Sequence, residues 1–328
     1  MAHKVAVIAG DGIGPQITAA ALKVVEAAGV ALDTTHFDVG ADRFLRDGHV
    51  LDDDDLAAIA GHDAILKGPL GPPIGDTLIP GGTIERGIIL RLRFALDQYI
   101  NLRPYEGNDL DFVVIRENTE GSYAGEGGFL RKGTPQEIAT QGSVNTRHGV
   151  ERCVRYAFNL AKGRERKHLT LVHKTNVLTF AGDLWQRTFN DVAAEFPDVA
   201  TAYNHIDASC IYMVEDPQRY DVIVTDNLFG DILTDLAGAV VGGVGLAGTG
   251  NLNPDGVFPS MFEPVHGSAH DALGTDKVNA TAQIKAAALM IESLGEVDAG
   301  ARIRKAIDMV LATNPVPSTI GDAVAASL

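Results

Sequence analysis

The sequence predicts an α/β fold built on a mixed, largely parallel sheet, and two observations carry that expectation. Five short apolar runs end in polar residues or glycine: KVAVIAG (4–10), DAILKG (63–68), DFVVIR (111–116), HLTLVHK (168–174) and YDVIVTD (220–226). Helix-like stretches lie between them, and strands alternating with helices imply parallel pairing through crossover connections. At 328 residues the chain has the length of about two domains.

Each element follows from its pattern. KVAVIAG reads as a buried strand because it is continuously apolar and stops at glycine. GPQITAAALKVVEAAG sets Ile17, Ala21, Val24, Val25 and Ala28 on one helical stripe, with Gly29 as a stop signal. A helix is expected from about Thr83 to Gln98, with Glu85, Ile89 and Arg93 sharing a face at i, i+4 and i+8. The stretch 123–146 is rich in Gly, Thr and Ser with alternating short runs, and reads as a flexible lid or a β-rich arm. In parallel sheets chemistry gathers beyond the carboxyl ends of the strands, where Arg116, Lys174 and Asp226 fall.

A formal net charge of −16 argues against a general nucleic-acid binder, since phosphate contacts need a basic footprint. An anionic substrate must then find local arginines or a cation. No apolar span is long enough for a membrane helix, so no membrane partner is expected. The opening MAHKVAVIAGDGIGP lacks a signal-peptide pattern. Two cysteines, Cys153 and Cys210, suggest a reducing compartment, and the expected location is the cytoplasm.

Several motifs bear on chemistry. DNLFGDILTD (226–235) stacks Asp231 and Asp235 on one helical face, where they sit either on a solvated surface or around a divalent cation. GVGLAG (243–248) satisfies the dinucleotide pattern GxGxxG but follows a helical stretch, and GDGIGP (10–15) has the wrong spacing for it. HKTNV (173–177) puts a lysine and an asparagine past a strand, and FEPVHGSAHD (262–271) is a loop with an acid, two histidines and a serine. Arg93, Arg103 in NLRP and Arg116 are independent surface residues or, together, a carboxylate clamp. Zinc spacing, a GxSxG elbow and a GxxxxGK[ST] loop are absent from the sequence.

GDGIGP, NLRP, VIRENTEGSY, HKTNVL, DNLFGDILTD and FEPVHGSAHD occur in this order over nearly the whole chain. Together they resemble the isocitrate and isopropylmalate dehydrogenase family, metal-dependent oxidative decarboxylases of 2-hydroxy acids. The resemblance implies that family's two-domain, non-Rossmann α/β fold. Residues 1–98 plus 242–328 would form a discontinuous cofactor-binding domain. Residues 99–241 would form a dimerisation and substrate domain, with 123–146 as an arm clasping the partner of a homodimer with shared active sites.

The resemblance also assigns roles. Asp231 and Asp235 fall on the Mg²⁺ or Mn²⁺ ligands, with Asp207 as a third ligand reaching the partner's site. Arg93, Arg103 and Arg116 match the carboxylate clamp. Lys174 matches the residue that deprotonates the hydroxyl, with Asp207 accepting or relaying the proton, and Tyr123 the acid that protonates the enolate. Asn176 falls near the substrate and nicotinamide. His266, Gly267, Ser268, Ala269, Asp271 and Asn279 match the adenosine loop. An acid at 271 favours the free ribose hydroxyls of NAD over the 2′-phosphate of NADP. A cofactor-side glutamate counts back from Arg93 to Arg86, and Glu85 supplies it after a one-residue shift.

ERGIILRLR carries Ile88, Ile89 and Leu90 where isocitrate-specific members place small polar groups. Apolar residues there either face the core or suit an alkyl substituent, at about 0.8 kcal/mol per buried CH₂, and the second reading points to 3-isopropylmalate and leucine biosynthesis. Arg91 keeps homoisocitrate or another polar substrate open, as RENTEG does for isocitrate, homoisocitrate and tartrate. His270, the 272–283 continuation and a short link after Pro104 depart from the family pattern. A non-catalytic regulatory subunit and a metal-dependent hydrolase are the readings from other classes.

Overall fold

The computed structural model describes residues 2–107 and 109–328 of the chain. It divides into two compact units, residues 1–98 with 243–328 and residues 99–242. The chain lays down β1 (His3–Ile8), β2 (Leu32–His36) and β3 (Ala64–Lys67) in the first unit. It then builds β4 (Ile100–Gly107), β5 (Leu110–Glu117), β6 (Gly127–Leu130), β7 (Ile138–Gln141), β8 (His168–His173), β9 (Ala200–His205) and β10 (Val222–Thr225) in the second. It returns to the first unit for β11 (Gly248–Leu252) and β12 (Ser260–Pro264).

In the first unit the strand order is β2–β1–β3–β12–β11, parallel except for β11, which runs antiparallel to β12. Parallel neighbours need crossovers, and the helix Gly14–Ala27 supplies the one from β1 to β2. Its buried face holds Ile17, Ala21, Val24 and Val25, the stripe expected from the sequence. The helix Thr281–Ser293 is apolar nearly all round because it is buried on several sides. In the second unit the order is β4–β5–β10–β8–β9, with β4 alone antiparallel to its neighbour. The helix Arg147–Gly163 covers it with Val150, Cys153, Val154, Ala157 and Phe158, and Phe158 stacks with Phe196 at 5.2 Å.

β6 and β7 form a separate antiparallel hairpin whose residues are exposed, so the 123–146 stretch contains a β-arm. Of the link after Pro104, Asn108 lies outside the described residues. GVGLAG follows the helix Asn227–Val240 and leads into β11, the reverse of the strand-to-helix order a dinucleotide fingerprint needs. The helix expected over 83–98 is a π-helix over Glu85–Leu90 followed by an α-helix over Arg91–Ala95. Ile84, Ile88, Leu92 and Leu96 anchor this segment in the core.

Candidate active site

In the first unit the turn GDGIGP packs against the FEPVHGSAHD loop. Gly12 lies at φ 58°, and a Cβ there would come 2.1 Å from the Ser268 carbonyl oxygen, so only glycine allows the approach. The Ile13 N–H donates to the same carbonyl. Asp11 is buried and accepts from the backbone N–H of Ala41, Asp42 and Gly71, tying three segments together.

Beside this turn opens a cavity of about 650 Å³, within the range of small-molecule sites. Glu85, His266, Gly267, Ser268, Ala269, Asp271 and Asn279, all proposed from sequence as cofactor-binding, line it. So do Leu70, Pro72, Ile74 and Asp76 of the loop after β3, and Lys277, which sequence reasoning did not single out. Burial pushes the His266 imidazole below its usual range, and its Nδ1 lies 2.9 Å from the Gly267 carbonyl oxygen. A neutral imidazole, an exposed Asp271 and apolar walls suit an uncharged nucleoside ring with free ribose hydroxyls. Arg86 is absent from the lining. The π-helix absorbs one extra residue ahead of Arg93, which accounts for Glu85 standing where α-helical counting puts Arg86.

Arg93 is buried on the same segment. Its Nη2 lies 3.3 Å from Glu263 Oε1, and its buried Nε has no hydrogen-bond partner. Burial alone would raise the Glu263 carboxyl, but Lys67 and Arg93 outweigh that and bring it down to about 2. Ile88 faces the core, one of the two readings its sequence leaves open, whereas Ile89 and Leu90 are half-buried. Arg91 pairs with Asp53 and donates to the Leu51 carbonyl, so its charge is already engaged.

The second unit gathers the other arginines around the DNLFGDILTD helix. Asp226 caps the helix Asn227–Val240 by accepting from the Phe229 N–H at 2.8 Å. Asp231 and Asp235 follow on one face. Buried Arg116 pairs with Asp231 Oδ1 through Nη1, and its Nε and Nη2 donate to Asn227 Oδ1 at 3.0 and 2.7 Å. Arg103, also buried, donates to Asn101 and Thr234 at 2.6 Å each, and lies 3.7 Å from Asp231 and 4.0 Å from Asp235. Tyr123 donates its hydroxyl to Asp231 Oδ2 at 2.7 Å and stacks under the Arg116 guanidinium at 5.2 Å. Sequence reasoning missed Asn227 and Thr234, although both lie within the motif it had marked.

Lys174 follows β8 and pairs with Asp207 at 2.7 Å. Lys174 pulls the Asp207 carboxyl below its usual range through that hydrogen bond. Asn176 is exposed in the turn after Lys174. No group of three His, Cys, Asp or Glu side chains forms a metal-binding cluster among the described residues. Asp207 therefore does not join Asp231 and Asp235 within one chain.

A model of the isocitrate/isopropylmalate dehydrogenase family matches residues 4–326. The chain belongs to this family. It is 56% identical over 344 residues to a 3-isopropylmalate dehydrogenase of Clavibacter michiganensis subsp. michiganensis, covering 98% of this chain and 97% of that one. It is 54% identical over 341 residues to a 3-isopropylmalate dehydrogenase of Corynebacterium efficiens, covering 99% of each. Among solved structures it superposes on isocitrate dehydrogenase from Methylococcus capsulatus with a TM-score of 0.90 and 38% identity, covering 99% of each chain. The family membership gives the chain a decarboxylating dehydrogenase's mixed α/β fold, and no helix among the described residues is long and apolar enough to cross a membrane.

The residues present fit the groups this family uses. Asp231 and the more exposed Asp235 offer oxygen donors suited to a hard divalent cation. The cavity beside GDGIGP offers the volume and acid that a ribose needs.

Proposed function

We propose that the protein oxidises and decarboxylates 3-isopropylmalate with NAD and Mg²⁺ or Mn²⁺, in leucine biosynthesis, as a cytoplasmic homodimer with shared active sites. The observation that carries the substrate is the 54–56% identity, over nearly full length, to relatives named 3-isopropylmalate dehydrogenase. Half-buried Ile89 and Leu90, with Arg91 held by Asp53, support an alkyl substituent rather than a third carboxylate.

In this reading residues 1–98 and 242–328 bind the cofactor, and 99–241 carry the dimer contact and the arm. Exposed Ile211, Val214, Leu228 and Ile232 on two helices of the second unit suit an apolar dimer face. Asp231 and Asp235 of one subunit, with Asp207 of the other, would hold the cation. Bound there, such a cation would supply polarisation of the C2 oxygen, and NAD would supply the hydride acceptor.

The chain's own residues handle charge and protons. Arg93, Arg103 and Arg116 bind the carboxylates. Lys174 first gives up its own ammonium proton, to Asp207 or to solvent, and as the neutral amine takes the hydroxyl proton, while Asn176 orients the reacting end. Loss of CO₂ from the β-keto acid leaves an enolate, whose carbon Tyr123 protonates. Asp231 holds the Tyr123 hydroxyl in place at 2.7 Å until then. Glu85, His266 to Ala269, Asp271 and Asn279 hold the nucleotide, with Asp271 selecting NAD through the ribose hydroxyls.

The test is NADH formation with Mn²⁺ on 3-isopropylmalate, homoisocitrate, isocitrate, D-malate and tartrate in parallel. Turnover on 3-isopropylmalate far above the others is expected. Preference for another member would overturn the substrate, and silence on all five would favour a regulatory subunit.

A further inference from the structure

Lys67 ends β3 in the apolar interior, with only 1% of its surface exposed. Burying a lysine costs several kcal/mol unless it is paired, and an apolar residue in its place is often at least as stable. Its pairing therefore calls for a reason other than stability. Lys67 Nζ lies 2.6 Å from Glu263 Oε2 and donates to the Gly68 carbonyl at 2.9 Å. Asn251 Nδ2 donates to Glu263 Oε1 at 2.7 Å. Each oxygen of Glu263 thus has a short partner that is not Arg93, and the Arg93 contact at 3.3 Å is the long one. One carboxylate between two cations leaves one positive charge uncompensated. That surplus falls on Arg93, whose buried Nε also lacks a partner.

We infer that Lys67 is a positioning residue for substrate binding: by holding Glu263, it keeps the Arg93 guanidinium available to a substrate carboxylate. Without Lys67, Glu263 is a buried carboxylate with one cation in reach, and a bidentate fork to Arg93 is its best remaining pairing. Arg93 then spends its charge and its donors inside the protein. The arrangement also explains why the carboxylate is there at all: Glu263 fixes the arginine's direction, and Lys67 keeps that hold weak.

This inference rests on the reading of Arg93 as a carboxylate-binding residue, and the experiment separates the two. Lys67→Met keeps the side-chain length and removes the charge. Its KM for 3-isopropylmalate should rise roughly 10- to 100-fold, the value of a lost charge-assisted bond, while its KM for NAD stays at the wild-type value. Adding Glu263→Gln removes the carboxylate that captures Arg93 and should bring the substrate KM back to within about threefold of wild type. Calorimetric binding of 3-isopropylmalate with Mn²⁺, without NAD, should follow the same order. A purely structural role predicts loss of kcat and thermal stability without the split between the two KM values, and no rescue by the second substitution.

Should Lys67→Met fail to fold, the neutral double variant decides alone. A substrate KM near wild type supports the inference, and one roughly tenfold higher or more overturns it. Wild-type turnover with an unchanged KM in Lys67→Met overturns the role of Lys67 and leaves the functional reading standing. Wild-type silence on every dicarboxylate overturns both.

Discussion

The two units each set buried arginines against carboxylates, but with opposite balances. In the second unit, Arg116 and Arg103 turn their donors on Asp231, Asn227, Thr234 and Asn101, and Tyr123 occupies the other oxygen of Asp231. In the first, Lys67 and Asn251 satisfy Glu263 and leave Arg93 with a long contact and an orphan Nε. The network in the second unit holds its aspartate with neighbours already in place. The one in the first unit stores unspent charge. A closed network gives precise placement, whereas an open one gives binding capacity, since a buried donor without a partner costs about 1–3 kcal/mol until something fills it.

The largest effect is expected for Asp231→Asn. It removes the negative charge that faces Arg116 and Arg103, turns one of the two oxygens serving Arg116 and Tyr123 into a donor, and weakens a proposed metal ligand, so kcat/KM should fall roughly 100-fold or more, with weaker Mn²⁺ binding seen in a direct metal titration. Retained Mn²⁺ affinity would remove Asp231 from the ligand set. Next in size, Asp271→Ala should raise the KM for NAD roughly tenfold and narrow the preference over NADP, measured by steady-state kinetics with both cofactors.

Glu263→Gln sharpens the contrast through pH. The Glu263 carboxyl lies at about 2 in the folded protein, against the ordinary 4.5. Because the folded value is depressed, its stabilisation is present above pH 4.5 and is lost as pH falls toward 2. Wild type should therefore lose roughly 3 kcal/mol more than the variant across that range, as read by urea unfolding at stepped pH. The smallest effect is expected for Arg91→Ala. With its charge engaged by Asp53 on an exposed edge, its loss should leave turnover within about twofold of wild type.

Much of this was legible in sequence because local patterns encode it. The strand runs 111–116 and 168–174 declare themselves by continuous apolarity, and the helix 14–27 by its stripe. Asp231 and Asp235 announce a common helical face by their spacing alone. The turn around Glu85 left a trace, a one-residue offset from Arg93, but naming it a π-helix required the backbone. Ile88 stayed undecided in sequence because apolar residues at adjacent positions do not reveal which one faces the core. Lys67 was visible at the end of an expected strand, and Glu263 as the acid of what read as a loop. Their pairing was not, since it depends on β3 and β12 being neighbours, and nothing local in either segment specifies that. The loop after β3 escaped notice because Pro and Gly mark a turn without saying what it encloses.

The most direct test of the account is to supply 3-isopropylmalate, NAD and Mn²⁺ and follow NADH and CO₂ together. Both are expected in equal amounts and at the same rate, with a 2-oxo acid one carbon shorter as the remaining product. NADH without CO₂, or neither, would contradict it.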